Sequence, residues 1–173
     1  MTDSKYHYSN KYHNAGNEAR KRFLAIVQAV VIAALLVFII VMASAGSSKD
    51  IPVSQIENVM DLQPGISELM KKNGRDVTYF LGISPQQCLY YKSDNIMDVR
   101  ELFIVKTSDS DEMELAAEAA QARLKRQKDN FTGYGTDQLE KLEHAIIRQK
   151  GDYLFYAVGD EADEWLEAFL KLL

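Results

Sequence analysis

The sequence predicts an α+β fold carried on a single N-terminal membrane span, and three observations predict it. An uncharged run, Phe23 to Ala45, stands near the start of the 173-residue chain. After Ser84-Pro85 the apolar period changes from 3.6 to 2, the change from helix to strand. Near the end, two apolar runs flank Lys150-Gly151-Asp152, the pattern of a tight hairpin. The expected architecture is a transmembrane helix followed by an antiparallel four-stranded sheet packed by helices, in the order helices, two strands, helix, two strands, helix.

The first element is a polar tail over residues 1–22, where Lys5, Lys11, Arg20, Lys21 and Arg22 outweigh Asp3 and Glu18. It reads as a disordered, weakly basic segment at lipid headgroups. His7 and His13, without a cysteine or carboxylate pair, are a poor metal site. The next element is the span itself, residues 23–45. At 1.5 Å per residue it reaches about 34 Å, against about 30 Å of hydrocarbon. Its Leu, Ile, Val and Phe side chains favour insertion by about 4–8 kcal/mol. Ala43-Ser44-Ala45 fits a signal peptidase site, but the apolar core is longer than the roughly 7–15 residues of a secretory signal. An uncleaved anchor is the favoured reading. Because Arg20, Lys21 and Arg22 abut the run, the N-terminus is expected in the cytoplasm and residues 46–173 outside. The expected setting is a bacterial cell membrane, single-pass.

Residues 46–50 read as a short linker, opening with Gly46-Ser47-Ser48, and 51–173 as the extracytoplasmic domain. Ile51 to Leu62 has near-helical apolar spacing and ends at Pro64-Gly65. Ile66, Leu69 and Met70 open a second helix that Asn73-Gly74 closes, and Asp76 to Gly82 forms another short one. Cys88-Leu89-Tyr90-Tyr91 and Leu102-Phe103-Ile104-Val105 are strands joined through Ser93-Asp94-Asn95. Asp111 to Asn130 is a long helix with the apolar stripe Met113, Ala116, Ala117, Ala120 and Leu124, acids at its start and bases at its end. Ala145–Arg148 and Tyr153–Val158 make the hairpin. A final helix, with Asp160 as N-cap, aligns Ala162, Trp165, Leu166, Phe169, Leu170 and Leu173. One cysteine excludes an internal disulfide, and a net charge of −5 argues against nucleic acid as partner.

No catalytic, cofactor-binding or metal-binding residue is assigned. Cys88 with His144, the one histidine of the outer domain, is the nearest approach to a nucleophile and base, but without any local signature a packed or half-exposed thiol is favoured. Asp109-Ser110-Asp111-Glu112 lacks the glycine and distal acid of a calcium loop and reads as helix capping. Thr132-Gly133-Tyr134-Gly135 reads as a turn, not a potassium filter, and Arg123 to Lys128 as a solvated helix face. Tyr90, Tyr91, Tyr153 and Tyr156 are the candidate ligand surface if their rings are exposed; ordinary sheet packing is the favoured alternative.

Several blocks act in combination: Leu81-Gly82-Ile83 with Gln86 to Tyr91, Asp98 to Val105, Arg123 to Gln127 with Phe131, Tyr134 and Asp137-Gln138, then Ala145-Ile146-Ile147, Gly151 to Leu154 and Asp160 to Asp163. Through them the stretch from Gly82 to about Phe169 resembles a family of small extracytoplasmic domains of unknown function from Gram-positive bacteria, many of them lipoproteins. The resemblance implies an envelope location and a shared fold, and no catalytic residue. This chain departs from the lipoproteins in having no cysteine at the end of its apolar run. The expected function is that of a non-enzymatic binding or accessory protein of the envelope, with the bilayer and an envelope protein or peptide as partners and the oligomeric state open. The alternatives are an envelope enzyme using Cys88 or acidic residues, and a sensor coupling the outer domain to the basic tail.

Overall fold

The computed structural model describes residues 49–133 and 135–173. The basic tail, the apolar run 23–45 with Ala43-Ser44-Ala45, the orienting residues Arg20, Lys21 and Arg22, and Tyr134 lie outside the described residues. Among the described residues no helix is long and apolar enough to cross a membrane.

The chain forms α1 (Val53–Met60), a 3-10 turn (Ile66–Glu68), β1 (Met70–Lys71), α2 (Gly74–Leu81), β2 (Cys88–Lys92), β3 (Glu101–Lys106), α3 (Ser110–Phe131), α4 (Thr136–Glu143), β4 (Ile146–Lys150), β5 (Tyr153–Val158) and α5 (Ala162–Leu172). The class is α+β, as expected, but the sheet has five strands, not four. Their order is β1-β2-β3-β5-β4, and every neighbouring pair is antiparallel. The added strand is the two-residue β1, pairing Met70 with Lys92 and Lys71 with Tyr91.

Alternation divides the sheet into two buried faces. On one, Tyr90, Phe103, Val105, Leu154, Tyr156 and Val158 pack against α2, α3 and α4. On the other, Leu89, Tyr91, Leu102, Ile104, Tyr153, Phe155 and Ala157 pack against α1 and α5. The central strands β3 and β5 therefore bury both faces, and five of the six residues of β3 and all six of β5 are buried. Each fully buried Leu, Ile, Val or Phe contributes about 1.5–3 kcal/mol relative to exposure. Trp165 is wholly buried on the α1/α5 side, its indole N–H donating to the Pro64 carbonyl at 2.8 Å, and Phe155 stacks on Phe169 with ring centroids 5.2 Å apart.

The hairpin forms as read: Lys150 pairs with Tyr153, leaving Gly151-Asp152 as a two-residue loop. Gly151 takes φ 53°, which suits the first position of such a turn. Four local readings change. Ile66 to Met70 is a 3-10 turn and a strand instead of a helix, because Gly65 at φ 77° turns the chain and Leu69 continues extended. Asn73-Gly74 opens a helix instead of closing one: Asn73 is an extended N-cap whose side chain accepts from Arg75 N and Asp76 N, while Asp76 accepts from Asn73 N. The helix α4 after Gly135 has no strong apolar stripe and was not expected; only Leu142 of it is buried. The cap of α5 is Glu161, not Asp160, whose carboxylate instead pairs with Lys141.

The long helix α3 is capped by Asp109, whose carboxylate accepts from Asp111 N and Glu112 N at 2.9 and 3.0 Å, so the acidic cluster is capping chemistry. Residues 49 and 50, assigned to the linker, are tied into the domain. The Tyr153 hydroxyl accepts from Ile51 N (2.6 Å) and donates toward the Ile51 carbonyl (2.9 Å), Lys49 N donates to Leu173 O (3.4 Å), and Asp50 pairs with Lys106.

Candidate functional site

The four candidate tyrosines do not form a ligand surface. Tyr90 and Tyr156 face the α2/α3/α4 side, Tyr91 and Tyr153 the α1/α5 side, and none is more than 4% exposed. Each hydroxyl has a partner: Tyr91 bonds Asp61, Tyr153 holds residues 49–51, and Tyr90 and Tyr156 converge on Glu101. Sheet packing, the favoured alternative, describes all four rings.

Cys88 and His144 are not brought together. Cys88 lies in register with Val105, and through it with Leu154 and Gln149, at one end of the sheet. His144 precedes β4 at the opposite end and beyond two intervening strands, exposed, its Nδ1 against the Glu140 carbonyl. Burial, and then the Glu112 carboxylate, push the Cys88 thiol pKa up, the direction that disfavours a thiolate. Among the described residues no cluster of three or more His, Cys, Asp or Glu is placed to hold a metal.

The chemically distinctive site is a polar cluster on the sheet face below α3. Register sets it: Lys92 on β2 lies opposite Glu101 on β3, and Tyr90 opposite Phe103, which in turn faces Tyr156 on β5. Side chains two apart share a face, so Tyr90 and Tyr156 flank Glu101 from the two neighbouring strands. Helix α3 lowers Arg123 and Gln127, one turn apart, onto them. Glu101 is fully buried. Tyr90 donates to its Oε2 and Tyr156 to its Oε1, each at 2.8 Å. Arg123 approaches side-on, Nε to Oε1 at 3.1 Å and Nη2 to Oε2 at 3.2 Å. With its amide nitrogen turned to the carboxylate, Gln127 donates to Glu101 Oε1 at 2.8 Å and accepts from Arg123 Nη2 at 3.2 Å.

The electrostatics follow from that packing. Burial works against the charge on Arg123, but attraction and hydrogen bonds from Glu101 outweigh it and move the guanidinium pKa up. Burial first, and then the Glu101 charge, hold the Tyr90 and Tyr156 hydroxyls well above the ordinary phenol range. The cluster is a buried ion pair with its hydrogen bonds satisfied. Replacing such a pair as a whole by apolar side chains is often neutral, whereas removing one partner leaves an uncompensated buried charge.

Its outer side is open. Phe80, near the end of α2, is approached by Arg123 Cζ at 5.3 Å and Lys92 Nζ at 5.1 Å from the ring centroid, both cation–π distances. Arg126 Nη2 donates to the Phe80 carbonyl at 2.8 Å. Tyr79, Phe80, Leu81, Gly82, Arg123 and Arg126 line a cleft of about 440 Å³. Arg123 is thus not part of a solvated face: its side chain is 13% exposed, whereas Arg126 and Lys125 are exposed as expected. Sequence reading missed the cluster, although a signal was present. The stripe Met113, Ala116, Ala120 continues at helical spacing through Arg123 and Gln127 to Phe131, and Glu101 shares the period-2 face of Phe103 and Val105. Polar residues at core positions on two elements announce each other.

The family model described as Domain of unknown function (DUF4358) matches residues 65–159. The match takes in the whole sheet with α2, α3 and α4, and hence every member of the Glu101 cluster; α1 and α5 fall outside it. It begins earlier and ends sooner than the stretch 82–169 that carried the resemblance to a family of unknown function. Comparison with curated proteins and with solved structures finds no match. Since the matched segment exceeds half of the 173 residues, the chain belongs to the DUF4358 family of domains of unknown function.

Proposed function

We propose that this protein is a membrane-anchored, non-enzymatic binding module of the bacterial cell envelope, its folded domain on the outer side. The observation that carries the binding half of this reading is the state of Glu101. It is the one fully buried carboxylate among the described residues, and it is saturated by Tyr90, Tyr156, Arg123 and Gln127 with no exposed surface from which to exchange a proton with a substrate. The thiol of Cys88 is remote from His144 and is disfavoured as thiolate. The anchoring half is supported by the uncharged run 23–45, by the flanking Arg20, Lys21 and Arg22, and by the envelope setting of the Gram-positive domains the chain resembles. The test is cross-linking in intact cells with a membrane-impermeant reagent, followed by purification of the full chain. An adduct of reproducible mass, retained by the Cys88→Ala variant, is the expected result. Cross-linking that yields no adduct, or one that requires Cys88, contradicts it.

A second reading, a sensor that passes outer binding to the basic tail, is favoured by one observation. Residues 49–51, where the chain enters the domain, are held by Tyr153 of the central strand β5 and by the terminal Leu173. Deleting residues 1–19 should then abolish a response without altering membrane insertion.

A further inference from the structure

We propose that the cleft beside Phe80 binds an oxyanion, carboxylate or phosphate, borne next to an aromatic or apolar group. This deepens the binding-module reading and rests on it. The folded part of the chain is acidic, with Glu and Asp outnumbering Lys and Arg, yet no acid lines this cleft. Two arginines do, and their fixed roles leave donors over. Arg123 turns Nε and Nη2 inward to Glu101 and Gln127, so Nη1 has no partner among the described residues. Arg126 gives one bond, from Nη2 to the Phe80 carbonyl, which leaves its remaining N–H groups open.

Lys92 adds a third cation. It is half-buried, donates only to the Ser93 carbonyl and has no ion pair among the described residues, while its neighbour Lys72 is paired with Asp94. Lys92 and Arg123 both approach the Phe80 ring, and the carboxylates that act on them, Glu101 on both and Asp94 on Lys92, do not line the cleft. The apolar half of the ligand has a platform. Tyr79 is 82% exposed and meets Phe80 edge-to-face at 4.9 Å, an aromatic surface next to the donors. A guanidinium pinned from behind by Glu101 loses little freedom when an anion arrives, the condition under which charge-assisted bonds are most effective.

Binding of phenyl phosphate and of N-acetylphenylalanine to the full chain in nonionic detergent, followed by calorimetry, tests this, with benzyl alcohol as the uncharged control. Saturable binding of at least one anion is expected, weakened by salt and absent for benzyl alcohol; the tighter of the two identifies phosphate or carboxylate as the natural chemistry. Arg126→Gln should weaken it about tenfold or more. Tyr79→Ala, at an exposed position outside the core, should weaken it severalfold while leaving unfolding unchanged. No saturation by either anion, or full affinity in both variants, overturns the proposal. If the envelope adduct forms equally well with Arg126→Gln and Tyr79→Ala while neither anion binds, the cleft assignment fails and the binding-module reading stands.

Discussion

Removing Arg123 should be far more damaging than its place on a long, charged helix suggests. Arg123→Met keeps the volume of the side-chain stem but strips Glu101 of its one ion-pair partner among the described residues, at contacts of 3.1, 3.2 and 3.3 Å. The carboxylate keeps two tyrosine donors and Gln127 but remains wholly buried, and breaking a buried pair from one side costs about 3–5 kcal/mol. Glu101→Leu removes a different set of contacts. Arg123 retains an outlet into the cleft, and the main loss is the acceptor of the Tyr90 and Tyr156 hydroxyls, about 1–3 kcal/mol each. In the double variant the cost of Arg123→Met should largely vanish, because no buried charge is left to abandon, giving a coupling of about 2–4 kcal/mol. Urea unfolding of the full chain in detergent reads this through Trp165, the only tryptophan and fully buried. An Arg123→Met cost below about 1 kcal/mol, or one that persists undiminished beside Glu101→Leu, would refute the claim that the pair is interdependent.

Three further outcomes follow from the same contacts. Tyr90 and Tyr156 titrate above the phenol value of 10.0 when folded, so their contribution is complete below pH 10 and declines as pH rises beyond it. Unfolding free energy measured from pH 9 to 11 should fall by about 1.4 kcal/mol per tyrosine per unit above 10, a slope that Tyr156→Phe should reduce. Gly65→Ala forces a side chain onto φ 77° with its Cβ about 3.1 Å from the Glu161 carboxylate, so a loss of about 1–2 kcal/mol is expected by the same unfolding assay, and an unchanged midpoint contradicts the turn geometry. Tyr153→Phe removes the hydroxyl that binds Ile51 N, and hydrogen exchange at the Ile51 amide should accelerate while amides of β3 stay protected.

What the sequence shows best is what local chemistry decides. The β4–β5 hairpin is legible because Gly151 fits the one backbone position that favours glycine. The helix α3 is legible because Asp109, Met113, Ala116 and Ala120 carry both a cap and a stripe. Asn73-Gly74 misleads because asparagine before glycine suits either end of a helix; only Asp76, returning a bond to Asn73 N, decides for the start. The strand β1 escapes because two residues have no period, and it exists through pairing with β2. The tyrosines mislead in a different way: alternation tells that Tyr90 and Tyr91 point to opposite faces, but not that helices cover both. The Glu101 site needs three strands and a helix at once: the stripe of α3 marks Arg123 and Gln127 as core positions, but their partners are fixed only by the register.

The sidedness of the chain is the most direct test of the account. In a Cys88→Ala background, single cysteines are placed at Asn14, in the tail, and at Asn130, an exposed residue of the folded domain. A membrane-impermeant maleimide should label Asn130→Cys in sealed cells and Asn14→Cys only after permeabilisation. Labelling of Asn14→Cys in sealed cells, or of Asn130→Cys only after they are opened, would contradict it.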